Sequence, residues 1–218
     1  MILNIHKPVG WTSFDVVKKV RNITQEKKVG HGGTLDPFAE GVLIVGTGKD
    51  TKRLEGITNS NKSYTAVLSL GTSTDTLDTE GNVKYHKQVP DLTMEKIYSV
   101  LHSFLGRTMQ IPPMFSAKKV NGTRLYKLAR KNIKIDRKPV EIYISDIQLI
   151  DYCDQKITFT VISSKGTYIR VLGKDIAVKL DTVGHLTSLI RTQVGEYSID
   201  ESLKIENIIA NGNPENSG

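Results

Sequence analysis

One carboxylate, Asp36, stands in the glycine-dense run Gly30-His31-Gly32-Gly33-Thr34-Leu35-Asp36-Pro37-Phe38-Ala39-Glu40-Gly41. Gly30, Gly32 and Gly33 permit positive φ and let the backbone come close to another molecule. Pro37 then fixes the chain direction just past the acid. A lone carboxylate on such a loop can serve as a nucleophile or base presented to a substrate. The same residues also fit a helix N-cap at Asp36 with proline at the first helical position. Spacing alone leaves both readings open.

Other chemistries fail on spacing. Gly46-Thr47-Gly48-Lys49-Asp50-Thr51 is no phosphate loop, because Leu43 stands where the first glycine belongs and Asp50 follows the lysine. It is no dinucleotide fingerprint either, since Thr51 replaces the third glycine. No nucleophile-elbow pattern is present. The five histidines (His6, His31, His86, His102, His185) include no pair at helical ligand spacing, and the single cysteine, Cys153, excludes a thiolate zinc site. One cysteine also forbids an intrachain disulfide, so a reducing cytoplasm is the expected location. No apolar run approaches the roughly 20 residues needed to span a bilayer. A carboxylate-dependent glycosidase would need a paired acid. Asp75, Asp78 and Glu80 are available but sit in a generic turn.

Charge adds a second signal. Of 30 basic and 23 acidic side chains, nine basic and one acidic fall between Lys118 and Lys138. That window carries +8, and the other 21 basic and 22 acidic residues carry −1. Acidic partners for i,i+4 pairing are nearly absent, which weakens the reading of a solvated helix face. A phosphate-rich partner is favoured, because such a segment gains from counterion release.

The elements that must hold these residues read as mixed. Met1–His6 has strand character, and Thr12 or Ser13 caps a helix to about Arg21. Val42–Val45 reads as a buried strand, Asp50–Thr58 as helical, and Tyr64–Leu70 as a strand. Thr72–Gly81 is polar and turn-rich. Thr93–Leu105 is a helix with Ile97, Val100, Leu101 and Phe104 on one stripe. Ile111–Met114 breaks regular structure, and Arg124–Lys131 forms a short cationic helix with Leu125 and Leu128 on one side. Val140–Ile150 and Ile157–Ile162 read as strands about a turn near Asp154-Gln155. Thr167–Leu180 has helical spacing, with strand character equally open at Tyr168–Arg170. Ser202–Ala210 reads as a last helix. Without βαβ regularity the chain is α+β rather than doubly wound. The expected sheet is mixed and mostly antiparallel, flanked by helices.

Several segments together resemble the tRNA pseudouridine synthase B family. They are Lys7-Pro8-Val9-Gly10-Trp11-Thr12-Ser13, the Gly30–Pro37 run, Gly48-Lys49-Asp50-Thr51-Lys52, Lys62-Ser63-Tyr64, Gln110–Ala117, Ser164–Arg170 and Gly184–Arg191. They follow the family's order between about Leu3 and Ser198. The resemblance implies the pseudouridine synthase fold and isomerisation of uridine to pseudouridine in the T-loop of tRNA, with no metal or other cofactor. The alternatives are an RNA-binding or tRNA-folding module and a synthase acting on another RNA.

The resemblance also implies roles. Asp36 is the essential aspartate, open to attack at C1′, attack at C6, or removal of a ribose proton. Arg170 is the arginine that pairs with it, favouring the charged carboxylate. Tyr64 stacks on the target base, and His31 fills the space that the base leaves. Tyr168 contacts the base or relays a proton, and Leu189 forms an apolar wall. Lys52 orients the loop or meets phosphate. Residues 111–139 form a basic thumb-like insertion, in which Lys118, Lys119, Arg124, Lys127, Arg130 and Lys131 would meet the RNA backbone. The expected organisation is a catalytic domain over residues 1–210, a disordered tail over 211–218, and no C-terminal domain of the PUA type. The expected partner is the tRNA T-arm, with no membrane and with the chain as a monomer.

Overall fold

A computed structural model of the chain describes residues 1–120, 122–129, 131, 133 and 135–208. Arg130, the Lys119 side chain and the proposed tail at 211–218 lie outside what it describes. The chain forms two compact units, residues 1–62 with 190–218, and residues 63–189.

The first unit begins with β1 (Ile2–Lys7), α1 (Ser13–Thr24), β2 (Val29–His31) and β3 (Glu40–Thr47). A 3-10 turn over Gly48–Arg53 then leads into α2 (Leu54–Asn59). β3 is the central strand. It pairs antiparallel with β1 from Ile2↔Gly46 to Lys7↔Gly41, and with β2 from Val29↔Thr47 to His31↔Val45. Its apolar run is buried on both faces, as expected of a central strand. Side chains alternate along a strand. Leu43 and Val45 therefore join Ile5, Val16 and Val20, while Val42 and Ile44 join Leu54 and Val194. Burying such a side chain contributes about 1.5–3 kcal/mol.

α1 starts with a reciprocal cap. The Asp15 amide donates to Thr12 Oγ1 at 3.1 Å, and Thr12 N donates to Asp15 Oδ2 at 3.0 Å. Val16, Val17 and Val20 form its buried stripe.

The second unit runs through β4 (Lys62–Leu70), β5 (Thr72–Thr74), β6 (Val83–His86), α3 (Met94–His102), β7 (Gly106–Gln110), β8 (Lys119–Val120), β9 (Thr123–Arg124), α4 (Leu125–Ala129), β10 (Val140–Cys153), β11 (Lys156–Ser163) and α5 (Ile169–Lys179). β10 pairs antiparallel with β11 and with β7. The β10–β11 hairpin closes through Asp154 and Gln155, with φ of 50° and 59°. Two left-handed residues give the turn whose twist matches a tight hairpin. Ile97 and Leu101 of α3, Ile142 and Ile144 of β10, and Phe159 of β11 are fully buried or nearly so.

β12 (Gly184–Val194) and β13 (Tyr197–Ser198) bring the chain back to the first unit. There Ile190↔Glu40 and Arg191↔Gly41 pair in parallel, against a background of antiparallel ladders. The fold is thus α+β with a mixed, mostly antiparallel sheet. Among the described residues the expected final helix does not form. A 3-10 turn over Ile199–Glu201 precedes the segment and another over Ile205–Asn207 lies within it, with Leu203 extended between them. The cause is tertiary: His6 N donates to Leu203 O and Leu203 N donates to Asn4 O, so β1 claims this backbone before a helix can.

Candidate active site

In the first unit the glycine run leaves β2 after His31, and the next amide, that of Gly32, still donates to Ile44 O at 2.8 Å. Gly33 has φ of +100°, a conformation that favours glycine. Asp36 is not a helix cap. The Ala39 amide donates to Asp36 O at 3.1 Å, closing a turn with Pro37 at its second position, and the chain then enters β3. Leu35, Phe38 and Ala39 are buried, while Asp36 is half-buried between them. Apolar anchors on both sides therefore present one carboxylate.

The backbone around Asp36 is held by three buried polar side chains from distant segments. Ser13 Oγ donates to Leu35 O at 3.0 Å and accepts from Leu35 N at 2.9 Å. Lys7, fully buried, donates to the carbonyls of Pro8 and Trp11 at 2.7 Å and to that of Pro37 at 3.4 Å. Arg191, 1% exposed, donates to Gly33 O, Thr34 O and Val42 O. Burying such cations is costly unless hydrogen bonds replace water, and carbonyl oxygens do so here. Gly41, at φ +106°, lies so close that a Cβ would meet Arg191 O at 2.3 Å.

His31 and Lys52 are brought together. With Lys28, Thr51, Leu54 and Glu55 they line an open cleft of about 450 Å³. Lys52 is exposed and His31 half-buried.

In the second unit Arg170 is 3% exposed and lies in the first turn of α5. It is neither a surface charge nor part of a strand. Its Nε faces Asp78 Oδ2 at 3.4 Å, Nη2 donates to Phe115 O at 2.8 Å, and Nη1 donates to Thr76 O. Asp78, 2% exposed, accepts from Thr76 Oγ1 and from the Glu80 amide. The turn that looked generic in sequence is therefore the seat of a buried ion pair. Asp78, which the sequence reading left in a generic turn, is the buried partner of Arg170. Its signal was the threonine-rich Thr74-Asp75-Thr76-Leu77-Asp78 spacing, which lets hydroxyl and amide groups converge on one acid.

Tyr168 caps α5, and Gln110 clasps it. Gln110 Nε2 donates to Tyr168 O at 3.1 Å, and Tyr168 N donates to Gln110 Oε1 at 2.8 Å. Tyr64 lies on the buried side of β4 at 8% exposure, and Leu189 is 5% exposed in β12. In the basic segment β8 and β9 form a small hairpin ahead of α4, which Leu125 anchors with no exposure. Arg124, Lys127 and Lys131 are exposed and Lys118 is half-buried. Tyr126 N donates to Ser116 O at 3.1 Å, tying α4 to the residue next to Phe115. Among the described residues no three His, Cys, Asp or Glu side chains gather as a metal ion would need. No described helix is long and apolar enough to cross a membrane.

Residues 21–169 match the model of the TruB family pseudouridylate synthase N-terminal domain. A tRNA pseudouridine synthase B of Dehalococcoides mccartyi is 44% identical over 209 residues, which cover 96% of this chain and 70% of the relative. One of Phocaeicola vulgatus is 43% identical over 211 residues, covering 94% of this chain and 90% of the relative. A chain in the crystal structure of a Cbf5-Nop10-Gar1 complex superposes with a TM-score of 0.74 at 29% identity. The present chain spans about half the length of that one, 52%, while 94% of its own length is covered. A match over two thirds of the sequence, relatives at this identity and a shared fold leave one assignment: the chain belongs to the TruB family of pseudouridylate synthases.

Proposed function

We propose that this protein isomerises uridine to pseudouridine in tRNA, at a uridine of the T-loop, with Asp36 as the essential carboxylate. The N1–C1′ bond breaks, the freed uracil turns, and C5 bonds to C1′. The proton on C5 is lost and N1 gains one, so the reaction is redox-neutral and needs no electron carrier. The relatives named tRNA pseudouridine synthase B support the reaction and the substrate class. The single structural observation that carries the reading is the Asp36 turn, a half-buried acid whose neighbouring peptide groups are fixed by Lys7, Ser13 and Arg191. Such fixation suits a group that must meet a reacting atom in one geometry.

The remaining roles follow the same reading. Extruding a base costs about a few kcal/mol, and Tyr64 returns roughly 1–3 kcal/mol of this by stacking. His31 occupies the vacated space, Tyr168 and Leu189 bound the uracil, and Arg170 is the guanidinium of the reaction centre. Lys52 meets the loop or a phosphate. Lys118, Lys119, Arg124, Lys127, Arg130 and Lys131 grip the T-arm backbone, so residues 111–139 act as the thumb of a catalytic domain. The chain works as a monomer in the cytoplasm, where its substrate and its single unpaired cysteine both fit.

Carbodiimide mapping of a tRNA transcript tests this. Wild-type protein should produce one new reverse-transcription stop in the T-loop, and Asp36→Asn should produce none. No stop with folded wild-type protein refutes the assignment.

A further inference from the structure

We propose that Arg191 is a positioning residue for Asp36: a buried guanidinium that sets where the reacting carboxylate stands without touching substrate. This rests on the reading of Asp36 as the essential acid. Arg191 is 1% exposed, and each of its nitrogens donates to a different carbonyl. Nε reaches Val42 O at 2.7 Å, Nη1 reaches Thr34 O at 3.2 Å, and Nη2 reaches Gly33 O at 3.3 Å. Val42 belongs to the buried central strand, so one rigid planar group ties the loop to that strand. The main chain of Arg191 completes the grip. It pairs in parallel with Gly41, where the positive φ and the 2.3 Å approach to Arg191 O exclude any side chain.

Asp36 therefore stands between two anchor points, residues 33–34 and residue 41, both fastened to the same arginine. The segment between them has little regular structure of its own. Gly33 in particular contributes flexibility that something else must remove. The fork of a guanidinium holds three acceptors in fixed relation, whereas an ammonium on a flexible stem cannot span them. Misplacement of a reacting group by about 1 Å can cost roughly 10²-fold in rate.

The test compares wild type, Arg191→Lys, Arg191→Ala and Asp36→Asn in single-turnover assays on a tRNA transcript, with tRNA affinity and thermal unfolding measured alongside. Arg191→Lys should bind tRNA like wild type yet turn over about 10²-fold more slowly. Millimolar guanidinium should restore part of the rate to Arg191→Ala, and equal sodium chloride should not. Should Arg191→Ala fail to fold, Arg191→Lys, which keeps the charge and most of the volume, carries the test. A folded Arg191→Lys with the wild-type rate overturns the inference. So does a rate loss that merely parallels lost tRNA affinity. An active Asp36→Asn would instead sink the underlying reading, so the two failures are distinct.

Discussion

Asp78 carries a demand that follows from its burial. It and Arg170 are each at least 97% covered, and Asp78 also accepts from a hydroxyl and an amide. Deleting one member of a buried pair leaves an uncompensated charge and costs about 3–5 kcal/mol. A domain is typically stable by about 5–15 kcal/mol, so Asp78→Ala should lower the urea midpoint severely. The double variant Asp78→Leu/Arg170→Met should be more stable than either single change, because it removes both charges together. Additive losses in that cycle would show that the pair is not coupled. Tyr64 makes a separate demand. If it stacks on the extruded base, Tyr64→Phe should keep most of the turnover and Tyr64→Leu should lose about 1–3 kcal/mol of it, read as kcat/KM on tRNA.

At the scale of elements, the first helix offers a direct check. Thr12 and Asp15 satisfy each other's amides, so Thr12→Ala should cost about 1 kcal/mol in unfolding free energy. The hydrogen bonds from the Thr12 side chain and backbone hold the Asp15 carboxyl below its usual range. A lowered native value means that this contribution is complete above the ordinary aspartate range and fades as the pH falls through the native one. The Thr12→Ala penalty should therefore shrink in acid, and a penalty independent of pH would mean that the cap does not involve the charged carboxylate. This helix was legible in sequence because its cap and its Val16, Val17 and Val20 stripe are local. The β10–β11 hairpin was legible for the same reason. What was not legible depends on distant partners. The segment near Leu203 has helical composition, yet β1 draws it into an extended bridge. Asp36 and Pro37 suit a helix start, yet the apolar run after them is a central strand and the turn closes instead. In the site, Asp36 stood out through its glycines, but the bracing by Ser13 and Arg191 was not legible because their acceptors lie far along the chain, and Lys7 adds the distant Pro37 O to two local carbonyls. Asp78 was hidden likewise, since nothing local shows that a turn acid faces Arg170.

The whole molecule has nearly neutral charge outside one basic segment. Arg124, Lys127 and Lys131 are exposed there, and the buried Leu125 holds α4 in place. Exposed cations on and beside a short anchored helix are badly placed to stabilise the fold, because like charges repel and the segment holds one acid, Asp136. They are well placed to displace counterions from a polyphosphate. Each phosphate contact should add about 0.7–0.9 to the slope of log affinity against log salt. Replacing Arg124 and Lys127 by alanine should thus flatten the slope for tRNA by roughly 1.4–1.8, with little change in thermal unfolding. Turnover at saturating tRNA should fall less than affinity if, as proposed, the chemistry belongs to Asp36. A salt slope equal to that of wild type, measured over the same range, would take these two residues off the RNA and require the positive segment to serve some other purpose.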